Sequence, residues 1–96
     1  MPDFGDRRVM GCSRPDLERW VDELMGPGTG RFVEDRMDLR HAGVPIVIAV
    51  CDAPVRVLGL VQFRELDVRF DYATQDRDAA RAWIARFDRH TQRGGG

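Results

Sequence analysis

The sequence predicts an α+β fold, in which an antiparallel meander of three to four strands is combined with two helices in the order (β)-α-β-β-β-(β)-α. Three observations predict it. A helical pattern follows a capping signal at Ser13, a second one lies near the C-terminus, and the residues between them alternate or run apolar as strands do. Because the connections are short, neighbouring strands should be antiparallel, and both helices should pack on one face of the sheet.

The first helix is predicted over residues 14–25. Ser13 is a good N-cap, Pro15 is tolerated in the first turn, and Gly26-Pro27 stops the helix. Its apolar stripe follows the helical spacing i, i+3, i+4, i+7, at Leu17, Trp20, Val21 and Leu24. A short strand is expected before it, over residues 7–12, and a loose arm over residues 1–6.

Two strands are predicted after the glycine-rich loop of residues 26–31. Residues 32–41 place Val33, Met37 and Leu39 on one face and charged residues on the other, as in a strand with one solvated face. Residues 44–51 are almost all aliphatic, so they predict a central strand.

Residues 55–72 are too long for one ordinary strand. The apolar residues occupy odd positions up to Phe63 and even positions from Leu66, so the phase slips at Arg64-Glu65. Either a tight turn at Arg64-Glu65 makes two strands, or a β-bulge there returns the later apolar side chains to the same face within one strand. We favour two strands.

The second helix should be capped by Thr74 or Asp76 and should end near Gln92. Its apolar stripe consists of Ala80, Trp83, Ile84 and Phe87. We therefore expect one small domain over residues 1–96, closed by a flexible glycine tail at 93–96.

The composition argues against a strongly basic protein and against a protein that spans a membrane. The net charge is −1, and all fifteen basic residues are arginine, with no lysine. We attribute this bias to a GC-rich bacterial genome, because the acidic residues are interleaved with the arginines and leave no basic block. Apolar runs are too short to span a membrane and no secretory signal opens the chain, so we expect a cytoplasmic protein without a membrane partner.

The chemistry-bearing residues form no recognisable catalytic or metal motif, and we expect no catalytic residue, metal or cofactor. Cys51 is predicted to be a buried apolar residue. Cys12 precedes the first helix, whose N-terminus would stabilise a thiolate. If the chain is instead an enzyme or small-ligand binder, its pocket should lie between the first helix and the sheet, with Cys12, His41 and Asp52 as the polar groups.

A second alternative is an RNA- or ribosome-associated domain. Arg86, Arg89 and Arg93 follow each other at i, i+3, i+7 and form one stripe of the second helix. The element order resembles that of the ribosome-hibernation factors and, without its first strand, is similar to that of the double-stranded-RNA-binding domain. The last residues, Arg93 to Gly96, resemble the Gly-Gly ends of ubiquitin-like proteins, but a disordered end is the favoured interpretation.

The feature that best predicts function is the apolar character of the central strands on both faces. Two helices on one side cover only one face, and soluble monomers rarely expose several large aliphatic side chains together. We therefore predict a non-catalytic interaction module or small accessory subunit that binds a second copy or another protein, with nucleic acid as the less favoured partner. The interface candidates are Ile46, Ile48, Val50, Leu58 and Leu60. If the helices divide between the two faces, nothing is left exposed.

Overall fold

A computed structural model describes the backbone of residues 4–93 and the side chains of residues 6–92. It confirms the α+β fold. The elements are β1 (Phe4–Met10), α1 (Arg14–Met25), β2 (Arg36–His41), β3 (Val44–Asp52), β4 (Arg56–Leu58), β5 (Val61–Phe63), β6 (Leu66–Tyr72), a 3₁₀ turn (Thr74–Asp76) and α2 (Arg77–Arg93). Among these residues, no helix is both long and apolar enough to cross a membrane.

The main sheet has four strands in the order β1-β6-β3-β2, and all its neighbours are antiparallel. Strands β2, β3 and β6 form the predicted meander. Strands β4 and β5 lie between β3 and β6 in the chain and pair only with each other, as a separate two-stranded sheet. The meander is therefore interrupted by a hairpin that does not join the main sheet.

Both helices pack on the same face of the sheet, as expected, and one core cluster joins them to the inner side of the strands. Phe70 of β6 lies at its centre, 5.4 Å from the ring of Phe87 and 6.5 Å from that of Trp83. The two helical stripes predicted from the sequence are buried, except that Leu24 is only partly covered. The buried strand residues are Met37, Leu39, Ile46, Ile48, Val50, Leu66, Val68, Phe70 and Tyr72.

Helix α1 has the predicted limits because its start is chemically well defined. The Ser13 hydroxyl oxygen accepts a hydrogen bond from the Asp16 amide at 3.2 Å, and the Asp16 carboxylate accepts one from the Ser13 amide at 3.0 Å. These bonds form a capping box and satisfy two amides that the helix leaves unpaired. The backbone bond from Ser13 holds the pKa of Asp16 below its ordinary value.

The expected limits of β1 and β2 were wrong. Strand β1 begins at Phe4, so residues 4–6 belong to the sheet and not to a loose arm; residues 1–3 and the glycines of the tail lie outside the described part of the chain. Strand β2 begins only at Arg36, because Glu34 (φ 51°) and Asp35 (φ 64°) form a two-residue turn that pairs Val33 with Arg36. Val33 is therefore exposed instead of lying beside Met37.

The segment 55–72 contains three strands instead of the two that we favoured. The tight turn lies at Gly59-Leu60, and Arg64-Glu65 instead separates β5 from β6. The phase slip is thus the boundary between the hairpin and the main sheet. At the next junction, Thr74 and Asp76 lie in the 3₁₀ turn that precedes α2.

Candidate functional site

The most distinctive surface of the molecule is the segment 55–63, which we call the apolar hairpin. Its register pairs Arg56 with Phe63 and Leu58 with Val61. Gly59 has a φ of 62°, the positive value that the first central residue of a type II′ turn requires. A glycine at this position thus fixes a two-residue turn and directs the apolar strands back along each other.

The apolar hairpin is exposed along its whole length. Every residue from 54 to 64 is solvent-exposed, and Leu60 at the tip is 102% exposed. Six of the eight large hydrophobic side chains exposed among the described residues belong to it, so the exposure is concentrated instead of scattered. The six are Val55, Val57, Leu58, Leu60, Val61 and Phe63.

Charged residues surround the base of the hairpin. The Ala53 amide donates to the Glu65 carbonyl oxygen at 2.9 Å, which closes the base, and the Arg56 guanidinium lies 3.5 Å from the Glu65 carboxylate. On the adjacent side, Arg14 contacts Asp35 at 2.6 Å and Asp52 at 3.1 Å. Hydrogen bonds to Asp35, and then to Asp52, raise the pKa of Arg14. Paired charges therefore lie next to the base of the apolar hairpin.

A cleft of about 320 Å³ lies at the same end of the molecule, and we call it the end cleft. It is formed where the last residues of β1, the middle of α1 and the last turns of α2 meet. Its lining comprises Arg8, Val9, Met10, Gly11, Cys12, Trp20, Asp88, Thr91 and Gln92.

The charges in the end cleft are paired. Arg8 forms an ion pair with Asp88, and its guanidinium lies 5.1 Å from the centre of the Phe70 ring. The Arg8 Nε is buried and has no hydrogen-bond partner among the described residues. The rest of the lining is mainly apolar or uncharged, so the end cleft is suited to an aliphatic group more than to an ion.

The prediction that the interface candidates on β3 lie at the surface is wrong. Ile46, Ile48 and Val50 are at most 7% exposed and face the helices. Leu58 and Leu60 are exposed as expected, on the hairpin instead of on the main sheet. Of the five candidates, only these two are available to a partner of the folded monomer.

The open face of the main sheet is charged, not apolar. Register places Arg7, Arg69, Ala49 and Arg36 side by side across the four strands. Each of these arginines contacts an aspartate: Arg7 with Asp67, Arg36 with Asp38, and Arg69 with Asp71. The uncovered face therefore bears ion pairs on β1, β2 and β6, with Ala49 of β3 between their arginines.

Neither cysteine lies in the environment that we expected. Cys51 is exposed on the open face instead of buried. Cys12 is half-buried, and burial, with a smaller contribution from Asp16, raises the pKa of its thiol to about 11. Burial therefore disfavours the thiolate of Cys12, although this residue directly precedes the N-cap of α1.

The polar groups of the predicted pocket do not converge. Cys12 and Asp52 line one shallow cleft of about 270 Å³ beside the start of α1. His41 pairs with Val44 at the opposite end of β3. Among the described residues, no group of three or more histidine, cysteine, aspartate or glutamate side chains could hold a metal ion.

Two of the three arginines of the predicted stripe lie on the described surface of α2. Arg86 and Arg89 are exposed and line a groove with Leu24 and His90, while the side chain of Arg93 lies outside the described part of the molecule. In the same region, His90 contacts Glu23 of α1 at 2.6 Å. The groove thus includes an acidic contact beside its arginines, and a role in phosphate binding stays a prediction.

Sequence reasoning missed the apolar hairpin as a separate element. The alternation of apolar residues at odd positions up to Phe63 predicted one strand that runs through Gly59, although a Gly-X pair between two apolar runs is a signal for a two-residue turn. Comparison with known proteins does not indicate a function, because no family model, no curated protein and no solved structure matches the chain.

Proposed function

We propose that this chain is a protein-interaction module that associates through the apolar hairpin. The observation that carries the proposal is the concentration of six exposed, large apolar side chains on one projecting element. Exposed patches of this kind mark association surfaces in folded proteins.

The size of the patch supports association. From their exposed fractions, the six side chains present roughly 600 Å² to solvent. Register divides this area between two faces, with Leu58, Val61 and Phe63 on one face of the hairpin and Val57 on the other. Burying that area is worth about 15 kcal/mol at 25 cal/mol per Å². Association costs about 4 to 15 kcal/mol in lost freedom, and ordering of side chains adds to that cost, so a partner that covers both faces of the hairpin offsets more of it than one that covers a single face.

The architecture of the hairpin supports the same function. A two-stranded hairpin without further packing is marginal in water, so a partner would stabilise its strands as well as cover its side chains. The paired charges of Arg14, Asp35, Asp52 and Glu65 border the base. An apolar centre with a polar margin is the usual arrangement of protein interfaces.

The test compares Val57→Asp with Val33→Asp. Both valines are exposed, at 58% and 70%, but only Val57 lies in the apolar hairpin. Both variants should melt cooperatively as folded chains, and Val33→Asp should keep the parent's thermal midpoint. Sedimentation of the purified chain and affinity capture from extracts of the source cells should show association lost in Val57→Asp and retained in Val33→Asp. Equal association by the two variants would contradict the proposal.

A further inference from the structure

We infer that β1 is an edge strand through which two copies of this chain join their main sheets. The two copies of β1 run antiparallel about a two-fold axis at Arg7, so that Gly5 of one copy faces Val9 of the other. This contact goes beyond the proposed function, because it does not involve the apolar hairpin. It follows from the backbone groups that β1 leaves open and from the order of its charges.

The outer edge of β1 directs backbone groups away from the sheet. Hydrogen bonds alternate along an antiparallel ladder, so one bond fixes the direction of the others. The Ala53 amide donates to the Glu65 carbonyl oxygen, so odd-numbered residues of β6 bond β3 and even-numbered ones bond β1. In β1 the even-numbered residues therefore bond β6, and Gly5, Arg7 and Val9 face outward. No backbone hydrogen bond from another described residue reaches these three.

The opposite edge of the sheet is partly covered by the chain itself. Arg36 of β2 exchanges both of its outward backbone hydrogen bonds with Val33, at 3.1 and 2.8 Å. Within β2, outward backbone groups are then left at Asp38 and Arg40 alone. Strand β1 has seven residues, no proline and an unbroken register with β6, so it is the longer open edge. Such an edge is a template for another strand.

Two charged side chains of β1 determine which strand fits this edge. Asp6 accepts a hydrogen bond from the Tyr72 hydroxyl at 3.4 Å, and the Arg8 guanidinium lies over the Phe70 ring, so both side chains are on the helix side of the sheet. An apolar strand would leave these charges without a counterpart. A second β1 with the axis at Arg7 places Arg8 of each copy opposite Asp6 of the other, in the pairs whose side chains lie closest.

The register is also decided by charge. Every two-fold arrangement places one residue opposite its own copy, but only the axis at Arg7 also forms pairs of opposite charge; an axis at Asp6 or at Arg8 forms none. The two copies of Arg7 are compensated within their own chains, because each guanidinium lies 2.5 Å from Asp67. On the same face Val9, 56% exposed, meets a glycine that leaves room for it.

The contact is small and leaves the apolar hairpins free. It joins one strand from each copy, so it belongs to the weakest class of interfaces, and we expect a dissociation constant of about 0.1–1 mM. It should then be open at about 1 µM, where hairpin binding can be measured separately. Because the two β1 strands run antiparallel, the hairpins lie at opposite ends of the joined sheet.

A cysteine at the axis tests the register. Arg7→Cys and Val9→Cys are each made in a Cys51→Ser chain, because Cys51 is exposed. The two copies of residue 7 should have Cα atoms about 5.5 Å apart, within reach of a disulfide, and the two copies of residue 9 about 14 Å apart. Both chains are equilibrated at about 0.5 mM with glutathione, whose oxidised form takes up the two electrons and two protons that each new disulfide releases.

We expect about 10-fold more covalent dimer from Arg7→Cys than from Val9→Cys, measured by intact mass. Adding Val9→Pro should reduce the Arg7→Cys yield to the Val9→Cys level, whereas Val9→Thr should not. The Val9 amide faces the free edge, so proline there removes no bond to β6, and thermal melting checks that the chain is folded.

Amide exchange tests the unmodified chain. Between about 10 µM and 1 mM, exchange at Arg7 and Val9 should slow about 2-fold or more, and exchange at Asp38 and Arg40 on the opposite edge should not change. This measurement does not depend on whether the proline variant folds.

Three results would overturn the inference. Equal dimer yields from Arg7→Cys and Val9→Cys would indicate random collision, and a yield that Val9→Pro does not lower in a folded chain would show that backbone pairing is not involved. Unchanged exchange at Arg7 up to about 1 mM would exclude the second copy. None of these results bears on the proposed function, which fails only if Val57→Asp and Val33→Asp associate equally.

Discussion

Replacing residues 54–64 with Asn-Gly should abolish association while leaving the fold intact. Ala53 and Glu65 remain, and the hydrogen bond between them at 2.9 Å provides the closing pair that a two-residue hairpin turn needs. Asn-Gly is the preferred sequence for a turn of type I′. The change therefore connects β3 directly to β6 without altering their register.

The expected change in stability is small and positive. None of the eleven residues removed is buried, so little of the transfer free energy of the core is lost with them. Shortening the connection from eleven residues to two lowers the entropic cost of closure by up to about 1.5 kcal/mol. The free energy of unfolding should therefore be unchanged or higher by about that amount.

Urea unfolding followed by tryptophan fluorescence measures this change, because Trp20 and Trp83 are both buried in the core. Both chains should be compared over a series of low protein concentrations, because any contribution of self-association to stability makes the midpoint depend on concentration. A loss of more than about 2 kcal/mol would refute the reasoning, because the hairpin would then be part of the folded core and its apolar residues would have a structural explanation.

Three further predictions test local geometry. Gly30→Ala should lower the free energy of unfolding by roughly 1–3 kcal/mol, because its Cβ would lie 2.5 Å from a backbone carbonyl oxygen of α1; Gly11→Ala has open space, and an equal loss there would contradict this cause. Ala42→Asn should stabilise by about 0.5–1 kcal/mol, since Ala42 has a φ of 52°; an unchanged or lower urea midpoint would exclude strain. Iodoacetamide at about pH 8 should modify Cys51 well before Cys12. With a pKa of about 11 in place of 9.0, Cys12 has a thiolate fraction about 100-fold below the ordinary one at that pH, and this fraction grows as the pH approaches 11. Equal labelling by mass spectrometry would show that Cys12 is not shielded.

The two helices were predictable from the sequence, because residues close together in the chain define the ends of α1 and the buried face of α2. Helix α1 begins and ends where the N-cap Ser13 and the stop at Gly26-Pro27 predicted, because both signals act within a few residues. The apolar stripe that includes Trp83 and Phe87 likewise predicted the buried face of α2. The turn at Glu34-Asp35 was hard to predict, since Asp tolerates a positive φ but Glu34, which also adopts one, does not favour it.

The inner face of β3 could have been predicted, but the signal lies in its neighbours. Ile48 and Val47 are both apolar, so β3 alone does not show which face is covered. Register pairs Ile48 with Met37 and Phe70, and pairs Val47 with Asp38. Because β2 and β6 alternate between apolar and charged residues, the face shared by their apolar residues had to be the inner one.

The same apolar pattern therefore occurs in a buried strand of the core and in the exposed strands of the hairpin, and only the local signals at its ends separate them. Pro54 lacks the amide needed to continue the β3 ladder, Gly59 makes the tight turn, and the charged pair Arg64-Glu65 precedes β6. Together these residues divert an apolar segment out of the main sheet, where it would otherwise have been covered. Because three separate positions specify the diversion, the exposure of the apolar hairpin is encoded in the sequence, as a surface for association requires.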